Sequence, residues 1–348
     1  MNTKRIVLIG ILLVLIWAIC LAWLHYSTGE SEESNQSSTV IDSSRWQQMG
    51  FQLHSNQPYK EVVIPYTERG GQIYVQATMA GRSVECLVDT GDSYIEWTQQ
   101  LNLPGKHMGS LFAYPGSSGI QVTAEWVQIS DLRLGDYELT NIPTMKVNTG
   151  SSLPEAGDKP LPAVLGNTAF MHVVLTIDSR QHQLIVRQLD YDIAQQLHGS
   201  QVSLLTFKPV IPVIQGVPDY ITVLGSIADR PVRFAIDTGQ SWPGIFLASA
   251  VRSQLNGVRT GSQDLARITV GQTFFGRRAT EVTEPIAWSL GTAKGRCPAF
   301  VIDMPNYAWQ ANIGHQLLKD YRVTIDYPHQ KVLLEPFQAN PNVVRTKP

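Results

Sequence analysis

Cysteine is scarce: there are three in 348 residues, and Cys20 lies in an apolar N-terminal run, leaving only Cys86 and Cys297. Two thiols do not make a disulfide framework, and no Cys/His spacing is that of a zinc site, so no metal is expected. Cys86 leads into an acidic turn and reads as a small buried hydrophobe, with a Cys86–Cys297 bridge as the alternative outside the cytoplasm. Basic residues are no more plentiful than acidic ones: 27 Lys and Arg against 29 Asp and Glu give a net charge of −2. Without a basic cluster there is no footprint for nucleic acid. The eight histidines are scattered, and none accompanies a Ser or Cys nucleophile motif, which argues against a Ser-His-Asp hydrolase.

Charged residues make up only 16% of the chain and hydrophobic ones 43%. Part of that hydrophobicity is one uncharged run, Ile6 to Leu24, preceded by Lys4 and Arg5 and followed by Glu30, Glu32 and Glu33. At about 1.5 Å per residue the run is long enough to cross a bilayer, with the basic flank in the cytoplasm. It carries Trp17 and Trp23 and is longer than a usual signal core, so an uncleaved signal anchor is favoured over a cleaved signal peptide. Residues 1–26 are therefore expected to be the cytoplasmic tip and transmembrane anchor. Residues 27–50, rich in Ser and Glu, are expected to be a flexible tether. The body then lies outside the cytoplasm, on a single-pass protein of the cytoplasmic membrane.

Within that body a short stretch occurs twice. VECLVDTGDS ends at Ser93 and VRFAIDTGQS ends at Ser241. Each is an apolar run rich in β-branched residues that stops at Asp-Thr-Gly, the pattern of a buried strand delivering a carboxylate to a turn. Asp89 and Asp237 stand 148 positions apart, as do Gly166 (AVLGNTAF) and Gly314 (ANIGHQLL), and Asp178 and Asp326 in their matched strands. Val63-Ile64-Pro65 matches Val210-Ile211-Pro212 at 147. A repeat this long is a duplicated domain rather than a solenoid period.

The Asp-Thr-Gly strand, the later apolar pair before Gly and the following Ile-Asp strand resemble one lobe of an aspartic protease of the retropepsin type. Two such lobes in one chain are also the pepsin-like arrangement, and the resemblance covers about Tyr59 to Pro336. It implies an all-β fold with few short helices: lobe 1 at 51–188, a crossover at 189–201, lobe 2 at 202–337 and a tail at 338–348, the lobes being related by a pseudo-twofold. It further implies that Asp89 and Asp237 form the catalytic dyad around a water, without a cofactor. Thr90 and Thr238 would bond across the lobe interface, Gly91 and Gly239 would let the chain turn tightly beside the carboxylates, and Gly166 and Gly314 would let neighbouring strands approach. The substrate would be a polypeptide, and one chain suffices for the site.

A hairpin from Leu111 through Pro115-Gly116-Ser117-Ser118-Gly119 to Trp126 resembles the flap over the substrate, with Tyr114, Gly116 and Gly119 as candidates. Matching Gly271 in ITVGQTFF to Gly135 in LRLGDYEL, at an offset of 136, predicts a shorter counterpart in the second lobe. The chain departs from the family after each Asp-Thr-Gly, where Asp92 and Gln240 replace a small residue. Asp92 either raises the dyad's proton affinity, points to solvent or helps hold a hard cation. Asp178 and Asp326 read as turn or cap carboxylates. Beside endopeptidase activity, the alternatives are peptide binding without turnover and a cation site on Asp89, Asp92 and Asp237.

Overall fold

In the computed structural model the described residues are 61–110, 114–115, 121–148, 163–188, 193, 203–209, 221–255, 259, 279–302 and 309–337. They form an all-β body. The anchor run, the Ser/Glu-rich tether, the C-terminal tail, Gly116, Gly119 and Gly271 lie outside them. Among the described residues no helix is long and apolar enough to cross a membrane.

The first half runs through β1 (Glu61–Pro65), β2 (Thr67–Arg69), β3 (Gln72–Met79), β4 (Arg82–Val88), β5 (Ile95–Thr98) and β6 (Lys106–Ser110). It continues with β7 (Tyr114–Pro115), β8 (Gln121–Leu134), β9 (Tyr137–Asn148), β10 (Ala163–Leu165), β11 (Val174–Asp178) and β12 (Gln183–Arg187). The second half has β13 (Ser203–Pro209), β14 (Ile221–Ile227), β15 (Arg230–Asp237), β16 (Ile245–Ala248), β17 (Ala279–Val282) and β18 (Ile286–Leu290). β19 (Ala293–Cys297), β20 (Ala299–Ile302), β21 (Ala311–Gly314), β22 (Tyr321–Asp326) and β23 (Lys331–Pro336) complete it. Among the described residues helix is limited to single turns, including α1 (Ser249–Arg252) and α2 (His315–Leu318).

Each Asp-Thr-Gly strand is the return arm of a hairpin. β3 turns into β4 through Ala80 and Gly81, and β14 into β15 through Ala228 and Asp229; all four turn residues have positive φ, as tight hairpin turns require. β10 then pairs parallel to β4 and antiparallel to β5, and β21 pairs in the same way with β15 and β16. Ala163-Val164-Leu165 is apolar and buried at all three positions, as a strand covered on both faces is.

The halves join edge to edge. β11 pairs antiparallel with β22, Thr176 standing opposite Thr324 with their hydroxyl oxygens 2.9 Å apart. The resulting order β1-β12-β11-β22-β23-β13 takes three strands from each half. Asp178 and Asp326 cap the turns that follow their strands. Asp178 accepts from the N–H groups of Arg180 and Gln181, and Asp326 accepts from that of His329.

Two of the expected matches are corrected by strand register. Ile64 faces Leu184 between β1 and β12, and Leu205 faces Val332 between β13 and β23. By register the residue corresponding to Ile64 is Leu205, 141 positions on, and Val210-Ile211-Pro212 lie outside the described residues. Met79 faces Leu132, and Ile227 faces Trp288, so β18 takes the place of β8's C-terminal part. The turn glycine matching Gly135 (φ 59°) is then Gly291 (φ 56°), 156 positions on, and not Gly271. The chain between Asp-Thr-Gly and this turn is longer in the second half, not shorter.

Tyr114 lies in β7 opposite Val122, and β6 pairs with β8 further from the turn, so the two arms of the expected hairpin do meet. Cys86 and Cys297 are both buried and unpaired. Burial pushes the Cys297 thiol up to about 12 and Cys86 higher still, so neither is a nucleophile at neutral pH.

Candidate active site

β4 and β15 end side by side, and the two Asp-Thr-Gly loops interlock. Thr90 Oγ1 donates to the carbonyl of Ile236 at 2.8 Å and accepts the N–H of Thr238 at 3.1 Å. Thr238 Oγ1 returns both contacts, to the carbonyl of Val88 at 2.7 Å and from the N–H of Thr90 at 3.0 Å. Both threonines are buried, so each hydroxyl satisfies groups that water cannot reach. Thr90→Val keeps the shape but orphans the Ile236 carbonyl and the Thr238 N–H. Denaturant unfolding is expected to find it about 2–4 kcal/mol less stable, and an unchanged midpoint would show that the interlock carries no stability.

The carboxyls cross over. A Cβ built on Gly91 would lie 2.4–2.6 Å from the carboxyl atoms of Asp237, and one on Gly239 2.1–2.6 Å from those of Asp89. Each acid thus rests on the other loop's glycine. Neither glycine has the positive φ expected of a tight turn; what they supply is room for the opposite carboxyl. Gly166 serves close approach too, since a Cβ there would meet the Tyr94 carbonyl at 2.3 Å, and one on Gly314 would meet that of Gln240 at 2.7 Å.

The two acids are held unequally. Asp237 accepts at both oxygens, from the N–H of Gln240 at 2.9 Å and from Asn312 Nδ2 at 2.6 Å. Asp89 accepts from the N–H of Gly91 at 2.8 Å and shares a side-chain hydrogen bond with Asp237. Burial, then the charges of Asp237 and Asp92, then that shared bond raise Asp89's proton affinity well above the usual carboxylate range. Two carboxyls in this contact cannot both ionise comfortably, and the charge of Asp237 opposes ionisation of Asp89.

Asp92 is buried rather than solvent-facing, with Oδ1 on the N–H of Tyr94 at 3.0 Å. Gln240 folds back, its Nε2 donating to the Gly244 carbonyl at 2.6 Å. Among the described residues no group of three His, Cys, Asp or Glu side chains is arranged to hold a metal ion.

Four residues not singled out from the sequence belong to the site. Gln72 donates from Nε2 to the Gly239 carbonyl while its Oε1 accepts from Tyr74 at 2.9 Å, tying β3 to the second loop. Asn167 donates to the Thr90 carbonyl and accepts from Tyr327. Asn312 holds Asp237. Glu96 is 1% exposed, and neither of its oxygens has a hydrogen-bond partner. Burial, aided by the charge of Asp89, pushes its carboxyl up to about 8.

No protein-family model matches the chain, and comparison with curated proteins gives no match. The site's chemistry therefore rests on its own geometry.

Proposed function

We propose that the protein is a membrane-anchored aspartic endopeptidase whose dyad is Asp89 and Asp237. The observation that carries the reading is the crossed pair of carboxyls, each seated on the opposite loop's glycine and sharing a hydrogen bond. One carboxyl takes a proton from water as that water attacks a peptide carbonyl; the other gives its proton to the carbonyl oxygen. The carboxyl that took water's proton gives it to the nitrogen as the C–N bond breaks, the other takes a proton from the diol as its carbonyl re-forms, and the pair again holds one proton.

Two similar lobes related by a pseudo-twofold axis account for the reciprocal threonine bonds and for Thr176 facing Thr324, since each pair is 148 positions apart. A single chain then supplies both acids. The anchor would set the cleft on the outer face of the cytoplasmic membrane, where polypeptide substrates are cut without a cofactor.

Buried Asp92 favours a second reading, peptide binding without turnover, because a third carboxyl beside the pair opposes the loss of its last proton. The full chain in detergent, incubated with a mixed peptide library between pH 3 and 8 and followed by mass spectrometry, decides between them. New termini that persist with chelator support hydrolysis. Peptides bound but left intact over the whole range support the second reading and sink the first.

A further inference from the structure

Glu96 has no role in the scheme above. Its place is set by strand register. It stands opposite Val164 on β10 and Met145 on β9; Val164 in turn faces Leu87, and Met145 faces Trp126. Directly opposed residues share a face of the sheet, so Glu96 lies in an apolar row with Leu87. Asp89 follows Leu87 by two positions and stays in the ladder through its N–H to the Leu165 carbonyl, so it is on that face as well. Tyr94, two before Glu96, sets its ring edge-on to Trp126 at 5.1 Å.

A carboxyl whose two oxygens both lack a partner, set beside the apolar side chains of Leu87, Val164 and Met145, is a site missing its complement. In the second half the same register position, opposite Asn312, is held by Phe246, packed with Phe300. The acid is a feature of Asp89's side alone.

We propose that Glu96 is the base of an acidic subsite beside Asp89 that takes a lysine or arginine side chain of the substrate. The aliphatic stem lies against the apolar and aromatic row, as long basic side chains do, and its cationic head meets the carboxyl. Across the dyad, Phe246 and Phe300 favour a large apolar residue, so the cleaved bond is expected to carry a basic side chain on one flank and an apolar one on the other. The proposal rests on the aspartic-protease reading.

Two peptides differing only in lysine or norleucine beside the scissile bond test it on the full chain in detergent. A buried charge pair predicts a kcat/KM ratio favouring lysine by about 30-fold or more, collapsing toward one in Glu96→Gln. A ratio near one in the wild type, or one that the variant leaves unchanged, overturns the subsite. If the variant does not fold, the wild type decides alone: acetylating the lysine must cost as much as replacing it. If neither peptide is cut, fluorescence anisotropy separates the two claims. Lysine-selective binding keeps the subsite and ends the hydrolysis reading, equal binding ends the subsite, and no binding ends both.

Discussion

Asp89→Asn and Asp237→Asn are each expected to lower peptide cleavage by about 10²- to 10⁴-fold, the range for losing a positioned acid or base. Because the pair works as a unit, the double variant should be little worse than either single one. Stability should move the other way. Asp89's proton affinity is raised in the folded chain, so its ionisation opposes folding. That penalty is absent below the carboxyl's ordinary pKa of 3.8 and grows as pH rises toward its folded value. Asparagine cannot ionise, and Asp89→Asn should melt at the same temperature as the wild type or higher at pH 7. Activity lost with stability kept or gained is the signature of a group retained for chemistry. Cleavage surviving in either single variant would remove the dyad.

The fold was legible where a local signal and its spacing agreed. A strand that ends in Asp-Thr-Gly, entered through a hairpin, is specified within some twenty residues, and both copies form as read. The offset of 148 holds in β3, β4, β10 and β11 because they make the same pairings as β14, β15, β21 and β22, and it is lost between Asp-Thr-Gly and β10, where Glu96 stands 150 positions before Phe246 and Gly135 stands 156 before Gly291. Matches outside that frame failed for a common reason. Val63-Ile64-Pro65 and the glycine of LRLGDYEL are generic strand and turn sequences, and such short stretches recur by chance. Register is decided by a partner strand distant in sequence, Leu184 for Ile64 and Met79 for Leu132, which local likeness cannot report.

Within the site, the residues named by motif were found together, whereas the polar groups supporting them were hidden. Asn312 sits between Ala311 and Ile313, and Glu96 between Ile95 and Trp97. On an alternating strand a polar residue flanked by apolar ones reads as solvent-facing. Both strands, however, are buried at every residue, so side chains on either face of them are covered. Only the closed sheet turns those side chains inward. The glycines illustrate the same limit: Gly91 and Gly239 were legible as necessary, but their necessity comes from the carboxyl of the opposite loop.

Glu96→Gln is expected to flatten the wild type's loss of stability between pH 5 and 8. The folded carboxyl holds its proton up to about pH 8 against an ordinary value of 4.5, so between those values the folded state binds more protons than the unfolded one. Under linkage, stability then falls as pH rises through that window, by roughly 4–5 kcal/mol in all, and levels off above it. Glutamine keeps the size and loses the titration. His172, which burial lowers to about 4, slopes the opposite way, gaining stability as pH rises from about 4 to 6.5. The difference between the two proteins' unfolding free energies, measured in denaturant at each pH, isolates Glu96. Parallel curves across pH 5 to 8 would mean that its carboxyl finds a compensating partner in the folded chain. A variant that gains on the wild type steadily from pH 5 to 8 would mean that Glu96 is buried as a neutral acid, held without a partner beside Asp89.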